Sequence, residues 1–259
     1  MTSSGEGLIW IHDIAVVSPS RLLMSAYTSY TLRLVDSVNG GIVSCVCLPS
    51  RPEGVCLLHD GLAAVTQRCK QQIQFIRVDG DMLSLDKSIN VKGPVIGISA
   101  CDSRLVVTYG DPGWVETLTM DGRVIDEMNN KKAGKQVFKW PYYIATTSSG
   151  DIFVSDFGTH MIIQMDRNLR ITRTFSSPML KKPCGIVFVS TDQLLVADME
   201  SHSIVVLNPT SGTVTSLLGQ SDGIQQPRAV AWCPASKKLY VCRAGSQTTL
   251  SVFKVRNEH

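Results

Sequence analysis

The sequence predicts an all-β protein that is built from one unit repeated six times. Two segments show the unit most clearly: PYYIATTSSGDIFVSD begins at Pro141, and PCGIVFVSTDQLLVAD begins at Pro183. Each has an isoleucine three residues after the proline, a polar turn, and a β-branched run that ends at an aspartate. Short β-branched runs that are bounded by turn residues favour strands over helices.

The unit recurs along the chain with a nearly constant spacing. Steps of 41, 43, 46, 42 and 44 residues separate its central apolar residue, found at Ile14, Val55, Ile98, Ile144, Ile186 and Val230. The units are predicted to begin near residues 11, 52, 95, 141, 183 and 227, and together they form a single domain, 1–259. A period of this length is typical of repeat architectures.

Each unit contains four strand-like segments, and the last is the most polar. The third segment ends at an Asp or Asn that can close a turn through its own side chain, at Asp36, Asp79, Asp121, Asp166 and Asn208. The fourth alternates apolar and polar residues, as in 170–175, which is typical of an exposed outer strand. Four-stranded antiparallel units at this period predict a six-bladed β-propeller, with the first strand of each blade at the axis.

The last unit shows only three clear strands, the third of them at Leu250–Val255. We expect the segment Leu8-Ile9-Trp10 to supply the missing outer strand and to close the ring, although only three residues then separate it from Ile14. Deletion of residues 1–10 should therefore reduce stability sharply.

Composition limits the class of protein. The 259 residues carry a formal net charge of +3, which is too small for a polycation. No apolar run approaches the roughly 18 residues that span a bilayer, and the start MTSSGEGLIWIHD lacks the features of a signal peptide. The eight cysteines include no CxxC pair. We therefore expect reduced thiols, no metal and a cytoplasmic location.

The two clearest units resemble the NHL repeat. The matching residues in the better copy are Pro183, Gly185, Ile186, Val196, Ala197, Asp198, His202 and Ile204, and those in the second copy are Pro141, Ile144, Asp156, His160 and Ile162. Met161 and Ser203 replace the arginine that follows the histidine in NHL repeats. The resemblance implies a propeller similar to the C-terminal domain of tripartite-motif (TRIM) NHL proteins. It also implies a parent E3 ubiquitin ligase with catalytic elements outside this chain, in which the propeller selects the target.

The sequence contains no recognisable catalytic motif: G-x-S-x-G, a P-loop and H-E-x-x-H are all absent. Six residues are expected to line the entrance to the axis, namely His12, Glu53, Ile96, Tyr142, Cys184 and Arg228. A ring that includes an arginine and an isoleucine does not form a cation site. We therefore expect a domain that is not an enzyme and that holds no cofactor.

His160 and His202 occupy the same position in successive units. Repetition at the blade period favours a structural role for both, bonded to a loop or to Asp156 and Asp198. We expect these two aspartates to hold turns through their side chains.

One end of the predicted propeller is basic. Loops that join successive blades and loops that join the second strand to the third share this end, which we call the basic face: residues 26–30, 48–53, 67–71, 91–95, 109–113, 131–142, 156–160, 177–184, 198–203, 220–228 and 243–248. It carries twelve basic residues and six acidic ones, Glu53, Asp111, Asp156, Asp198, Glu200 and Asp222. The formal net charge of the basic face is therefore +6, and that of the rest of the chain is −3.

Aromatic residues share the basic face: Tyr27, Tyr30, Tyr109, Phe138, Trp140, Tyr142, Tyr143 and Phe157. Basic groups that meet phosphates, with rings on which bases stack, predict binding of single-stranded RNA. The predicted binding residues are Arg51, Arg68, Lys70, Lys92, Lys131, Lys132, Lys135, Lys139, Tyr142, Phe157, Lys181, Lys182, Arg228 and Arg243.

Docking of a protein, including an acidic peptide, on the same face is the alternative, because aromatic and arginine residues are equally typical of protein hot spots. The sequence thus predicts a non-catalytic recognition module that binds RNA or a protein target. We expect the propeller to be monomeric, without a membrane partner or a small-molecule cofactor.

Overall fold

The computed structural model describes residues 10–245 and 249–254, which fold into six antiparallel sheets around a common axis. Five sheets have four strands, and the sixth has three in the described part of the chain. Strands that follow one another in sequence are neighbours in every sheet, so each blade is a meander. The predicted fold class, a six-bladed β-propeller, is confirmed.

The first three blades contain twelve strands. Blade 1 consists of β1 (Ile11–Ser18), β2 (Arg21–Ala26), β3 (Thr31–Asp36) and β4 (Ile42–Cys47). Blade 2 consists of β5 (Val55–Leu57), β6 (Leu62–Gln67), β7 (Gln72–Asp79) and β8 (Met82–Asn90). Blade 3 consists of β9 (Val95–Cys101), β10 (Arg104–Tyr109), β11 (Trp114–Thr119) and β12 (Val124–Asn129).

The other three blades contain eleven strands among the described residues. Blade 4 consists of β13 (Pro141–Thr146), β14 (Ile152–Asp156), β15 (Met161–Met165) and β16 (Ile171–Phe175). Blade 5 consists of β17 (Pro183–Ser190), β18 (Gln193–Asp198), β19 (Ser203–Leu207) and β20 (Val214–Leu218). Blade 6 consists of β21 (Pro227–Cys233), β22 (Lys238–Arg243) and β23 (Leu250–Lys254).

Among the described residues, helical structure is confined to single turns in loops. Helix α1 (Asn130–Ala133) lies between blades 3 and 4, and 3-10 turns occur at Arg68–Lys70 and Gln220–Asp222. None of the helices in the described residues is long or apolar enough to cross a bilayer.

The ring closes where the inner strand of blade 6 packs against the inner strand of blade 1. Strand β21 contacts β1, and the other inner strands contact one another in chain order. Of the segment that was predicted to form a closing strand, Leu8 and Ile9 lie outside the described residues, and Trp10 precedes β1 without belonging to a strand. The described part of blade 6 ends with β23 as its outer strand.

Two glycines let neighbouring inner strands approach each other closely at the axis. A Cβ atom on Gly54 would lie 2.7 Å from the carbonyl oxygen of Ile96, and one on Gly185 would lie 2.6 Å from that of Arg228. Both distances are far below van der Waals contact, so only glycine fits without a backbone shift. The spacing of the side chains that line the axis depends on these approaches.

Two aspartates fix the loops of blades 4 and 5. The Asp156 carboxylate accepts hydrogen bonds from the backbone N–H groups of Lys139 at 2.8 Å and Gly158 at 2.9 Å. Asp198 accepts one from the backbone N–H of Lys182 at 2.8 Å. Both aspartates end the second strand of their blade, so they join it to the loop that precedes the inner strand. Their predicted role in holding turns is confirmed.

Candidate functional site

Four of the side chains expected at the entrance to the axis contact one another there. Arg228 Nη2 donates a hydrogen bond to His12 Nε2 at 2.7 Å, and Glu53 Oε2 lies 3.5 Å from the same nitrogen. The Tyr142 ring stacks on the His12 ring with centroids 5.8 Å apart. The guanidinium carbon of Arg228 lies 5.2 Å from the Tyr142 ring centroid. We call these four residues the axial cluster.

The register of the inner strands produces the axial cluster. His12, Tyr142 and Arg228 are each the second residue of an inner strand, in β1, β13 and β21. Ile96 and Cys184 hold the same position in β9 and β17, where both are buried. Because six similar blades surround one axis, equivalent positions converge, and polar residues from distant parts of the chain meet.

Burial shifts the pKa of His12 and the pKa of Glu53 in the axial cluster. It lowers the pKa of His12 well below its usual value, and the positive charges of Arg228 and Arg68 lower it further. A neutral imidazole that accepts at Nε2 carries its proton on Nδ1. Burial also raises the pKa of Glu53 to about 7, although Arg68 and Arg228 oppose this shift. Two guanidinium groups therefore face one partly protonated carboxyl group near neutral pH.

Tyr143 closes the axis beneath the axial cluster. Its hydroxyl donates a hydrogen bond to the backbone carbonyl oxygen of His12 at 2.6 Å, although blade 4 lies opposite blade 1. A cavity of about 230 Å³ lies farther along the axis and is lined by the six inner strands. At its wall, Asp13 accepts a hydrogen bond from the Val55 N–H at 3.0 Å and so joins blade 1 to blade 2. Burial raises the pKa of Asp13 to about 7.

Aromatic rings continue from the axial cluster across the basic face. The Tyr27 and His12 centroids are 6.1 Å apart, the Tyr142 and Phe157 centroids 6.1 Å, and the Phe157 and Trp140 centroids 6.5 Å. We call these five rings, which cross the axis from blade 1 to blade 4, the aromatic line. Trp140 at one end is 42% exposed, so much of its ring is open to a ligand.

Cationic side chains lie over three rings of the aromatic line. Arg51 stands 5.0 Å from the Tyr27 centroid, Lys182 5.5 Å from the Phe157 centroid, and Arg228 covers Tyr142. Such pairs contribute about 0.5–1 kcal/mol each at exposed sites. These contacts also hold each cationic group over a ring, so positive charges and rings lie close together along the aromatic line.

The structure divides the fourteen predicted binding residues into four groups. Arg68, Tyr142 and Arg228 lie at the axis, and Arg51, Lys139, Phe157, Lys181 and Lys182 lie on or beside the aromatic line. Lys92, Lys131 and Lys132 lie by the outer strands of blade 3, where two of them line a separate pocket with Trp114. The fourth group consists of Lys70, Lys135 and Arg243. Their side chains make no hydrogen bond, ion pair or ring contact with the described residues at the axis or along the aromatic line.

Carboxylates pair with three of these lysines. The Nζ–carboxylate distances are 3.1 Å for Lys92 with the fully buried Glu116, 2.8 Å for Lys132 with Asp126, and 3.0 Å for Lys182 with Glu200. Within the described chain, no carboxylate lies within ion-pair distance of five others, Lys70, Lys131, Lys135, Lys139 and Lys181. These five lysines therefore supply much of the positive charge on the face.

The two repeated histidines connect neighbouring blades. The His160 ring Nδ1 is hydrogen-bonded to the backbone oxygen of Lys181, and His202 Nδ1 accepts a hydrogen bond from the Gln226 N–H at 3.0 Å. Each ring therefore attaches one blade to the loop that leads into the next. Their predicted structural role is confirmed.

Sequence reasoning missed the part that Trp10 plays at the site. The ring centroids of Trp10 and Tyr27 are 5.3 Å apart, and the guanidinium carbon of Arg228 lies 5.3 Å from the Trp10 ring centroid. The sequence signal for this role is the position of Trp10, two residues before His12. Among the residues that the structure describes, no group of three or more His, Cys, Asp or Glu side chains could hold a metal ion.

Comparison with known proteins identifies the fold. No protein-family model matches the chain, and no curated protein matches its sequence. A catalytically inactive H270A virginiamycin B lyase from Staphylococcus aureus, solved with quinupristin, matches with a TM-score of 0.70 and 15% identity, over 99% of this chain and 88% of that chain. A streptogramin B lyase matches with a TM-score of 0.72 and 13% identity, over 99% of this chain and 86% of that chain.

A chain of a nidogen/laminin complex matches with a TM-score of 0.67 and 15% identity, over 92% of this chain and 86% of that chain. Such low identities show the fold and nothing finer, because one propeller fold serves many functions. The NHL pattern of blades 4 and 5 therefore stays a resemblance. What the comparisons establish is that this chain is a β-propeller of a kind found in enzymes and in protein complexes.

Proposed function

We propose that the protein is a non-catalytic recognition module that binds a segment of a partner protein along the aromatic line. The observation that carries this proposal is the contact between rings from opposite blades, with Arg228 held over Tyr142 at the centre. Tyrosine, tryptophan and arginine in a partly desolvated patch are the residues that dominate protein-binding energy. The fold itself commonly serves in protein binding.

The charge of the face indicates the chemistry of the partner segment. Lys139 and Lys181 stand beside the aromatic line without a carboxylate partner in the described chain. A surrounding positive rim speeds the association of an acidic partner and adds modestly to affinity. The partner segment should therefore combine an apolar or aromatic anchor with acidic residues, and its binding should weaken as salt is added.

Selection from a displayed library of random peptides on the immobilised protein tests the proposal. Wild type should enrich acidic peptides with an apolar anchor, and Trp140→Ala should fail to retain them. Met82→Ala is the matched control, because Met82 is 68% exposed at the opposite end of the propeller. If the selected peptides bind both variants equally, the aromatic line is not the docking site.

Single-stranded RNA is a second candidate ligand for the same face. The five lysines without carboxylate partners and the exposed ring of Trp140 favour it, because phosphates and bases require these two features. A fluorescence-anisotropy titration with a randomised RNA pool at two salt concentrations tests it. Salt-sensitive binding that Lys139→Glu and the Lys181/Lys182→Glu double variant abolish, but Arg104→Glu at the opposite end leaves intact, would support RNA over protein.

The NHL resemblance supports two further proposals about the setting of the module. We place it in a TRIM-NHL-like ubiquitin ligase whose catalytic elements lie outside this chain, and we place that protein in the cytoplasm. The eight free cysteines are compatible with a reducing compartment. Ubiquitination of a captured partner that is lost with Trp140→Ala would test the assignment to a ligase.

Catalysis is the competing class of function, because two of the structural neighbours are lyases and His12 lies beside Glu53. We propose that this pair does not catalyse a reaction, since Arg228 already occupies the Nε2 acceptor of His12. Incubation with quinupristin should leave the compound unchanged. Turnover that disappears with His12→Ala would overturn the non-catalytic proposal.

A further inference from the structure

The guanidinium of Arg228 has no carboxylate partner among the described residues. Its hydrogen bond to the neutral His12 ring supplies no countercharge, and the rings of Trp10 and Tyr142 lie 5.3 Å and 5.2 Å from its central carbon. Glu53, the carboxyl group of the cluster, contacts His12 rather than the guanidinium. A partly desolvated arginine normally has an anionic partner, because desolvation of an unpaired charge is costly.

Four buried polar atoms around this guanidinium have no hydrogen-bond partner in the described chain. They are Arg228 Nε, Trp10 Nε1, His12 Nδ1 and Glu53 Oε2. Side-chain exposure is only 3% for His12 and 4% for Glu53. The large majority of buried polar atoms in proteins are hydrogen-bonded, so four exceptions in a single contact network indicate a binding site.

The unpartnered atoms define the chemistry of the ligand. Arg228 Nε and Trp10 Nε1 are hydrogen-bond donors, and Arg68 adds a second positive charge that acts on both His12 and Glu53. A planar carboxylate is the group that a guanidinium edge binds most specifically. A phosphate dianion fits less well than a singly charged carboxylate, because its repulsion by the Glu53 carboxyl group of the same cluster is stronger.

We propose that Arg228 and Trp10 bind a carboxylate group of the partner protein at the axis. This inference rests on the proposed function and adds the specific group that the centre of the aromatic line recognises. The carboxylate comes from an acidic side chain or from the C-terminus of the partner. The remaining partner residues then follow the rings toward Trp140.

Nuclear magnetic resonance of the full chain with ¹⁵N-labelled arginine tests the inference without the partner. N-acetylglutamate α-amide represents an acidic side chain, and N-acetylglycine represents a C-terminus. At least one of them should shift the Arg228 Nε–H resonance in a saturable way, with a Kd in the roughly millimolar range expected of a small fragment. Arg51, which stacks on Tyr27 at the same face, should not respond.

Two variants connect the response to the site. Arg228→Gln should abolish it, and Arg104→Gln at the opposite end of the propeller should not. Trp10→Phe keeps a ring over the guanidinium but removes the indole N–H, and it should weaken binding about tenfold, which equals about 1.4 kcal/mol. Trp10→Phe decides the question if Arg228→Gln fails to fold. Unchanged affinity in Trp10→Phe would remove Trp10 from the site and overturn the inference as stated.

The two acids distinguish the source of the carboxylate. A response to the glutamate amide alone indicates a side chain, and a response to N-acetylglycine alone indicates a C-terminus. No saturable shift with either acid, or a shift with inorganic phosphate alone, would overturn the inference. The proposed function would still stand if selected peptides bind through Trp140, and it would fail separately if the acids bind but no peptide depends on Trp140.

Discussion

The hydroxyl of Tyr143 donates a hydrogen bond to the backbone carbonyl oxygen of His12 at 2.6 Å, and this bond joins opposite blades across the propeller axis. The same side chain stacks beside His12 with ring centroids 5.8 Å apart. Tyr143 is only 5% exposed. The Tyr143 side chain therefore lies between the axial cluster and the cavity deeper along the axis.

Replacement of Tyr143 by phenylalanine should destabilise the protein by about 1–3 kcal/mol, because the variant leaves a buried carbonyl group without its partner. Tyr30→Phe is the control, since Tyr30 is 41% exposed and its hydroxyl interacts with Arg51 at the surface. Urea unfolding measures both. Equal free energies of unfolding for Tyr143→Phe and wild type would show that the bond across the axis contributes nothing to the ring.

The pKa of Glu53 makes stability depend on pH in a defined window. Burial raises this pKa from 4.5 in the unfolded chain to about 7 in the folded protein. Protonated Glu53 therefore favours the folded state, and this contribution is complete below pH 4.5. It declines as pH rises to about 7, at up to about 1.4 kcal/mol per pH unit. His12 acts in the opposite direction, because its lowered pKa makes stability fall as pH drops below about 6.5.

Glu53→Gln isolates this contribution, since glutamine resembles the protonated acid and does not titrate. The free energy of unfolding of wild type should fall relative to that of Glu53→Gln as pH rises from 4.5 to 7. Urea titrations at several pH values measure the difference between the two free energies of unfolding. The contribution of His12 largely cancels in this difference, because both proteins contain His12. Parallel pH profiles for the two proteins would refute the raised pKa of Glu53.

The fold class could be predicted from sequence because the period of 41 to 46 residues and the β-branched runs are local features. The same regularity placed His12, Tyr142 and Arg228 at the entrance to the axis, since they share one position in their inner strands. The turns held by Asp156 and Asp198 could be predicted for the same reason: the side chain bonds backbone groups of its own blade.

The charge pairing on the basic face could not be predicted in this way. Lys92 and Lys132 belong to loops of that face, but Glu116 and Asp126, which bind them, lie on the strands β11 and β12. A count of charges by loop omits such carboxylates. The bond between Tyr143 and His12 was also beyond a pattern argument, because it depends on the diameter of the ring.

Gly185→Ala should destabilise the protein by about 1–3 kcal/mol, because its Cβ would collide with the Arg228 backbone and force neighbouring inner strands apart. Gly219→Ala is the matched control, since a Cβ there meets no heavy atom within 4 Å. Thermal unfolding of both variants gives the comparison. If Gly185→Ala is as stable as Gly219→Ala, the close approach of β17 and β21 does not constrain the axis.

Hydrogen exchange of the whole protein, with and without a peptide selected on it, tests most directly whether the aromatic line is the binding surface. We predict slower exchange on peptide binding in the loops 27–30, 137–140 and 157–160, which carry or adjoin the line. Loops at the opposite end, such as 102–103 and 148–150, should be unaffected. Protection confined to those opposite loops, or to the outer strands, would contradict the account.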